Sequence, residues 1–377
     1  MTEKPVVFNV IEDGRIAGPQ LRMLRVANAL HEAVNTVVVI PKKGPSDFKD
    51  ALVEADISFV ELPLTKFSRS ITDIFLSLIK MPYEINCLKK SAIACQADVV
   101  HSSGGAWMFK AIIAARLAGI PSVWHLNDTS SPSIFKHIAR LLIKRWVAGV
   151  IVAGSRVKSH YLPDFETYTS GVEIIKIEAP VDTNKFRSKN RYGQNKRLSL
   201  ITVGNVSPVK GYETLVHAAN ELKGNVNFSW RVFGYLLDSQ KSYQNRIFGK
   251  MDDLGLKEVK IMGASSKVDL MLMDSDIYVC TSEAEASPTS VWEAMACGLP
   301  IIATDVGCVS DYIQHGVNGY IVPVGDFSSI AKYIKVLDGD ISLRKEMGMK
   351  NRKLAEEHFD IEVCARKHLC IYSSVSS

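Results

Sequence analysis

A chain of 377 residues, 47% hydrophobic and 23% charged, has the composition of a globular protein and enough length for two domains. Its net charge of +5 is too mild to argue for nucleic acid, and no apolar run approaches the ~18 residues that span a bilayer. The seven cysteines are scattered without a CxxC pair, which points to reduced thiols, a cytosolic compartment and a core that needs no disulfide or metal staple.

The opening, MTEKPVVFNVIEDG, does not read as a signal peptide. PVVFNVI (5–11) reads as a strand and PQLRMLRVANALHEA (19–33) as a helix. Between them, Gly14 and Gly18 precede Pro19; Gly18 can cap the helix and let a ligand approach the backbone, although a plain strand–helix turn uses the same residues. Strands follow at 35–41 and 57–63. DVVHSSGGAW (98–107) and VWHLNDTS (123–130) then set His101 and His125 just after strands, where a lone histidine serves either a ligand or the fold. In SIFKHIARLLIKRWV (133–147), Ile134, Ile138, Leu141, Leu142 and Trp146 recur at helical spacing, with Lys136, Arg140, Lys144 and Arg145 elsewhere on the helix. Such a helix can lie on a membrane surface, or it can bury its apolar stripe in the core.

AGVIVAGS (148–155) closes this series. VDTNKFRSKNRYGQNKR (181–197), polar and basic without a hydrophobic period, reads as a linker. A second alternating series has strands at 198–204, 227–234, 258–263, 276–282, 300–305 and 319–323, then helices to the last residues. This rhythm predicts an α/β protein of two doubly wound, Rossmann-like domains facing each other, with ligand at the strand C-termini. The turn in TVGNVSPVKGYETLV (202–216) carries Lys210 but is neither a Walker A loop nor a GxGxxG fingerprint. No His/Cys/Asp grouping has metal-ligand spacing.

SEAEASPTSVWEAMACGLPIIATD (282–305) is the most informative stretch. Ser287 is the expected N-cap and Pro288 the first helical residue; Gly298 and Pro300 stop the helix, giving about 288–297. The N–H groups of Thr289, Ser290 and Val291 would then form an anion site with the helix dipole. Glu285 lies before it and Glu293 in its second turn. Carboxylates repel phosphate and accept hydroxyls, so a phosphate with sugars on both sides fits. A capping cluster with acids on a solvated face fits the same residues.

Glu285 and Glu293, with seven residues between, and EAMACGLPIIATDVG (293–307) resemble the retaining GT-B glycosyltransferases of family 4, the glycosyl transferases group 1. VDTNKF, GSRVKSHYL and HFDIEVCARKHLCIY also look like that family's text. The resemblance implies an acceptor-binding domain over 1–183, a nucleotide-sugar-binding domain over 184–357, and a helix over 358–377 that crosses back to the first. It implies that Glu293 binds the donor ribose, that Glu285 acts at the transferred sugar, and that the backbone of Ser287, Pro288, Thr289 and Ser290 holds phosphate. Lys210 matches the family's phosphate clamp, with Asn205 in place of the usual arginine. Gly18 resembles the glycine-rich loop under the donor phosphates, and His125 a catalytic histidine near the donor sugar. His101 and Gly104 resemble the acceptor side, with Asn127 and Asp128 as acceptor contacts. Ala286 stands where glycine is usual and Ser287 where an aromatic is usual.

The implied activity is metal-independent transfer of a hexosyl unit, with retention, from a nucleoside-diphosphate sugar, a UDP-sugar being favoured. No cofactor is expected, because basic residues and a helix end neutralise the leaving phosphate. The implied acceptor is a glycan or lipid-linked sugar in surface polysaccharide or glycolipid assembly, in the cytoplasm or in peripheral contact with the anionic inner face of the cell membrane. The competing readings are a non-catalytic sugar-nucleotide-binding or scaffold protein of the same fold, and a nucleotide-sugar epimerase.

Overall fold

The computed structural model describes residues 4–66, 71–129, 131–163, 171–188 and 197–376, with residues 71–75 described by their backbone only. The chain divides into two compact units: Met1–Pro180 with Ile361–Ser377, and Val181–Asp360.

Unit 1 contains strands β1 (Val6–Val10), β2 (Asn35–Pro41), β3 (Phe59–Leu62), β4 (Val99–Ser103), β5 (Ser122–Leu126), β6 (Gly149–Val152) and β7 (Glu173–Lys176). Its helices are α1 (Gly18–Ala29), α2 (Asp47–Glu54), α3 (Ile71–Ala94), α4 (Phe109–Ala118), α5 (Ser133–Trp146) and α6 (Ser155–Tyr161). All strand pairs are parallel, in the order β3-β2-β1-β4-β5-β6-β7. Every residue of β4, β5 and β6 is buried, as expected for parallel strands covered on both faces. β7 is a strand the sequence reading does not contain.

Unit 2 contains strands β8 (Leu198–Val203), β9 (Phe228–Phe233), β10 (Val259–Gly263), β11 (Ile277–Cys280), β12 (Ile301–Thr304) and β13 (Gly319–Val322). Its helices are α7 (Tyr212–Leu222), α8 (Lys241–Asp253), α9 (Val268–Met273), α10 (Thr289–Ala296), α11 (Phe327–Gly339) and α12 (Ile341–His358). The sheet is parallel, in the order β10-β9-β8-β11-β12-β13. Asp326 and Asp340 cap α11 and α12, each accepting a backbone N–H with its side chain.

Helix α13 (Ile361–Ser376) packs in unit 1, against α1, β4, β5 and β7. Cys364, Ala365, Ile371 and Tyr372 join Val7, Val26, Val99, Val123 and Ile151 in one core. Gly149 permits this approach, since a Cβ there would lie 2.9 Å from Ile371 Cδ1. On the other face, α3 and α4 supply Ile85, Leu88, Ala111 and Ala115 against Phe8, Val10 and Val100.

Two expectations change. Residues 181–188 are no free linker: Val181 and Phe186 are buried, the Val181 N–H bonds the Phe359 carbonyl, and the Arg352 guanidinium bonds the carbonyls of Thr183 and Phe186. The rest of the expected linker, 189–196, lies outside the described residues. Helix α5 buries Phe135, Ala139, Leu142 and Ile143, while Ile134, Leu141 and Trp146 of its apolar stripe, which core burial would have covered, are exposed. Among the described residues, no helix is long and apolar enough to cross a membrane.

Candidate functional site

In unit 2 the strand order reverses between β8 and β11, which is where ligands bind in sheets of this kind. The loops leaving these two strands are joined backbone to backbone. The Glu283 N–H bonds the Val209 carbonyl at 2.8 Å, and Thr281 Oγ1 donates to the Lys210 carbonyl at 2.9 Å. Gly211, at φ +63°, makes this possible: a Cβ there would lie 2.0 Å from the Thr281 carbonyl oxygen. The joint delivers Lys210 Nζ to Glu285 Oε1 at 2.5 Å, and Ser282 Oγ donates to the same oxygen at 2.9 Å. Burial opposes the lysine charge, but the adjacent Glu285 outweighs it and raises the Lys210 pKa above the ordinary value. Gly307, at φ +55°, braces the other side of this loop, and the Cys308 N–H bonds the Ala286 carbonyl at 3.0 Å.

Helix α10 follows, with corrections to its expected start. The N-cap is Pro288 rather than Ser287, and no side chain caps it. The Ser287 hydroxyl instead accepts the Trp292 indole N–H at 3.0 Å. The Val291 N–H bonds the Pro288 carbonyl, which leaves the N–H groups of Thr289 and Ser290 at the helix end. The Ser290 hydroxyl accepts from Tyr278 at 2.8 Å, tying the helix to β11. Glu293 is half-buried in the second turn. Asn205 uses its side-chain oxygen to accept the Tyr235 N–H at 3.1 Å, so it fastens the β8 loop to the β9 loop. The structure thus brings Lys210, Glu285 and the α10 end to one edge of unit 2.

In unit 1 the order reverses between β1 and β4, and the loops after these strands line a cavity of about 400 Å³. Gly104, Asn127 and Asp128 line it; Gly18, His101 and His125 do not. Asp128 accepts hydrogen bonds from Ser131 Oγ and the Tyr161 hydroxyl, both at 2.7 Å. Gly105 makes room for it, as a Cβ there would lie 1.7 Å from Asp128 Oδ2. Gly18 is the first residue of α1 and not its cap, which is Ala17.

The two histidines lie deeper. His101 Nδ1 meets the Tyr372 hydroxyl at 2.7 Å, and its ring stacks on His125 with centroids 5.8 Å apart. Both are 1% exposed, and His125 Nδ1 has no partner. Burial first, then the charge of Arg22, holds the pKa of His125 well below the usual histidine value; burial, His368 and Arg22 do the same for His101. Both rings are therefore neutral at physiological pH. The cause is α13, which covers this face of the sheet from a distant part of the sequence.

The cavity also holds a residue that sequence reading missed. Glu12 is 3% exposed, and its Oε1 has no hydrogen-bond partner. Lys110 Nζ lies 3.1 Å from its Oε2 in an ion pair. That ammonium also donates to the Thr65 carbonyl at 2.5 Å and to Glu84 Oε2 at 2.7 Å. Burial pushes the Glu12 pKa up to about 7, against the pull of Lys110. No local pattern marks Glu12, because its partners sit on α3 and α4.

Residues 182–354 match the family described as Glycosyl transferases group 1. This stretch, which makes up nearly all of unit 2, belongs to that family. Three known proteins are similar to the chain. N-acetyl-alpha-D-glucosaminyl L-malate synthase of Bacillus anthracis is 36% identical over 117 residues, covering 31% of each chain. The chain's match thus spans less than a third of that relative's length. The Escherichia coli UDP-Gal:alpha-D-GlcNAc-diphosphoundecaprenol alpha-1,3-galactosyltransferase is 24% identical over 284 residues, 71% of this chain and 73% of that one. The crystal structure of Anabaena Alr3699/HepE in complex with UDP superposes with a TM-score of 0.83 at 19% identity, covering 98% of this chain and 100% of that one. This likeness establishes the GT-B fold for the chain. Among its described residues, no group of three or more His, Cys, Asp or Glu could hold a metal ion.

Proposed function

We propose that the protein transfers a hexosyl unit, with retention, from a nucleoside-diphosphate sugar to a glycan or lipid-linked acceptor in surface polysaccharide or glycolipid assembly. The observation that carries this is the Lys210–Glu285 pair beside the α10 end, at the β8/β11 reversal. A pyrophosphate needs cations and N–H donors; Lys210, Thr289 and Ser290 supply them. Sugar and ribose hydroxyls need acceptors; Glu285 and Glu293 supply those. UDP is the favoured carrier, in keeping with the UDP that the similar Anabaena structure holds.

When the donor's phosphate takes Lys210, Glu285 is released to orient the sugar and to favour the positive charge that develops at its anomeric carbon. The acceptor hydroxyl then attacks on the face from which the phosphate leaves, and that phosphate accepts its proton. Lys210 and the helix end balance the leaving charge, so no divalent metal is obligatory in this scheme. Gly104, Asn127 and Asp128 line the acceptor pocket. NMR of the product's anomeric carbon tests the stereochemistry: a β-linked product from an α-linked donor overturns it.

Donor binding has its own test. Glu293→Ala removes the charged acceptor for the ribose and should weaken UDP binding by roughly 1.5–3 kcal/mol. Calorimetry showing unchanged UDP affinity in the folded variant removes Glu293 from the site.

The lipid-linked acceptor is favoured by the outer face of unit 1. Ile134 and Leu141 of α5 and Leu76, Ile79 and Tyr83 of α3 are exposed, beside exposed Lys144 and Arg145. Both helices pack against α4. Such a face suits peripheral contact with anionic lipid. Flotation with anionic liposomes should fall several-fold for Ile134→Ser/Leu141→Ser. It should fall less for Arg140→Glu, since Arg140 turns inward to the carbonyls of His160 and Tyr161. Equal flotation of parent and the double serine variant counts against the surface.

A further inference from the structure

We infer that Glu12 is the group in the unit 1 cavity that receives a hydroxyl of the acceptor, and that this cavity takes a neutral sugar ring and not a phosphate. The inference rests on the transferase reading above and assigns the acceptor's chemistry within it. Its first support is the state of the Glu12 carboxyl: it lines the cavity, is 3% exposed, has an Oε1 without a hydrogen-bond partner, and has its Oε2 paired with Lys110 Nζ at 3.1 Å. A buried carboxylate in that condition is unfavourable, and a hydroxyl donor from a ligand relieves it.

The second support is the charge of the wall. Among the described residues that line it, Lys66 is the cation, and its Nζ is held by Asp13 Oδ2 at 2.7 Å; Arg15 also grips Asp13. Glu12 and Asp128 remain as acids. This wall repels a phosphate and accepts hydroxyls. The third support is Trp107, an aromatic wall braced on Phe135 with ring centroids 4.3 Å apart, which suits the C–H face of a sugar ring. The charged groups facing Glu12 are Lys110 from α4, Glu84 from α3 and Lys66 from the loop after β3. With its carboxyl titrating near neutrality, Glu12 becomes the stronger acceptor as pH rises through about 7.

The test uses the full chain, Glu12→Leu, which is similar in size but offers no acceptor, and Glu12→Gln, which keeps shape and loses charge. Saturation-transfer NMR would measure binding of methyl α-D-glucoside, methyl α-D-galactoside and N-acetylglucosamine, with inorganic phosphate as the anionic probe. At least one sugar should bind the parent, about ten-fold more weakly to Glu12→Leu. Its affinity should rise between pH 6 and pH 8 in the parent and stay flat in Glu12→Gln. Equal binding by all three proteins, no sugar binding to the parent, or binding of phosphate alone overturns the inference. UDP calorimetry on the parent reports on unit 2 separately. Failure there removes the donor reading of Lys210 and Glu285, and sugar binding without UDP binding is distinguishable from the reverse.

Discussion

Glu285→Gln should bind UDP at least as tightly as the parent while turning over a UDP-sugar ~10²-fold more slowly or worse. The two halves of this result have one origin. In the structure Lys210 is held by Glu285, so a phosphate that recruits Lys210 competes with that carboxylate. Glutamine is the same shape and removes the competitor, so binding does not suffer. The reacting sugar, however, loses the negative charge that favours its oxocarbenium-like state, and that loss appears in kcat. Lys210→Ala behaves differently: it loses the cation for phosphate, and UDP affinity falls as well. Calorimetry on both variants with steady-state rates tests the scheme. Full turnover by Glu285→Gln removes the proposed role of Glu285, and weakened UDP binding in that variant refutes the competition.

Lys110→Met should destabilise unit 1 by about 3–5 kcal/mol, because it leaves two buried carboxylates without their cation. Glu12, Glu84 and Lys110 are all 3% exposed or less. The loss should also depend on pH. Glu12 has its pKa raised from 4.5 to about 7 on folding. Between those values the native state binds more protons than the unfolded one, so the Glu12 contribution is fully present below about pH 4.5 and is lost as pH rises through about 7. Removing the ammonium pushes Glu12 further the same way. Urea unfolding should therefore show a larger penalty for Lys110→Met at pH 8 than at pH 5, and Glu12→Gln should flatten the parent's decline over that range. A penalty that is small, or equal at both pH values, refutes this description of the triad.

The strands were legible because parallel strands buried on both faces are near-continuous apolar runs, as in GVIV of β6 and IIAT of β12. The β7 segment EIIK escaped because it is four residues long and none is fully buried. Glu285, Glu293 and Lys210 were legible as spacing and motif, but the contact between Lys210 and Glu285 was not. It depends on Gly211 meeting the Thr281 carbonyl across two adjacent strands. The Ser287 cap failed for a similar reason: residue propensity favours serine there, but the Trp292 indole, buried against Phe359, claims its hydroxyl. His101 and His125 read as residues just after strands, but they lie within β4 and β5 beneath α13, which comes more than two hundred residues downstream. Glu12 could not be found at all, since what makes it unusual is burial beside Lys110 and Glu84.

The return of α13 to unit 1 also sets an order of events during synthesis. Unit 2 is one unbroken stretch, Val181–Asp360, set inside a unit whose last helix comes after it. A ribosome that has delivered Asp360 has delivered all of unit 2. It has not yet delivered the side chains that cover Val7, Val99, Val123 and Ile151. At about 5–20 residues per second, the sheet translated first waits roughly ten to forty seconds for its cover. Throughout that interval the part of the sheet face that α13 covers lacks its partner, with α1 alone packed on that side, while the part translated second can already be complete.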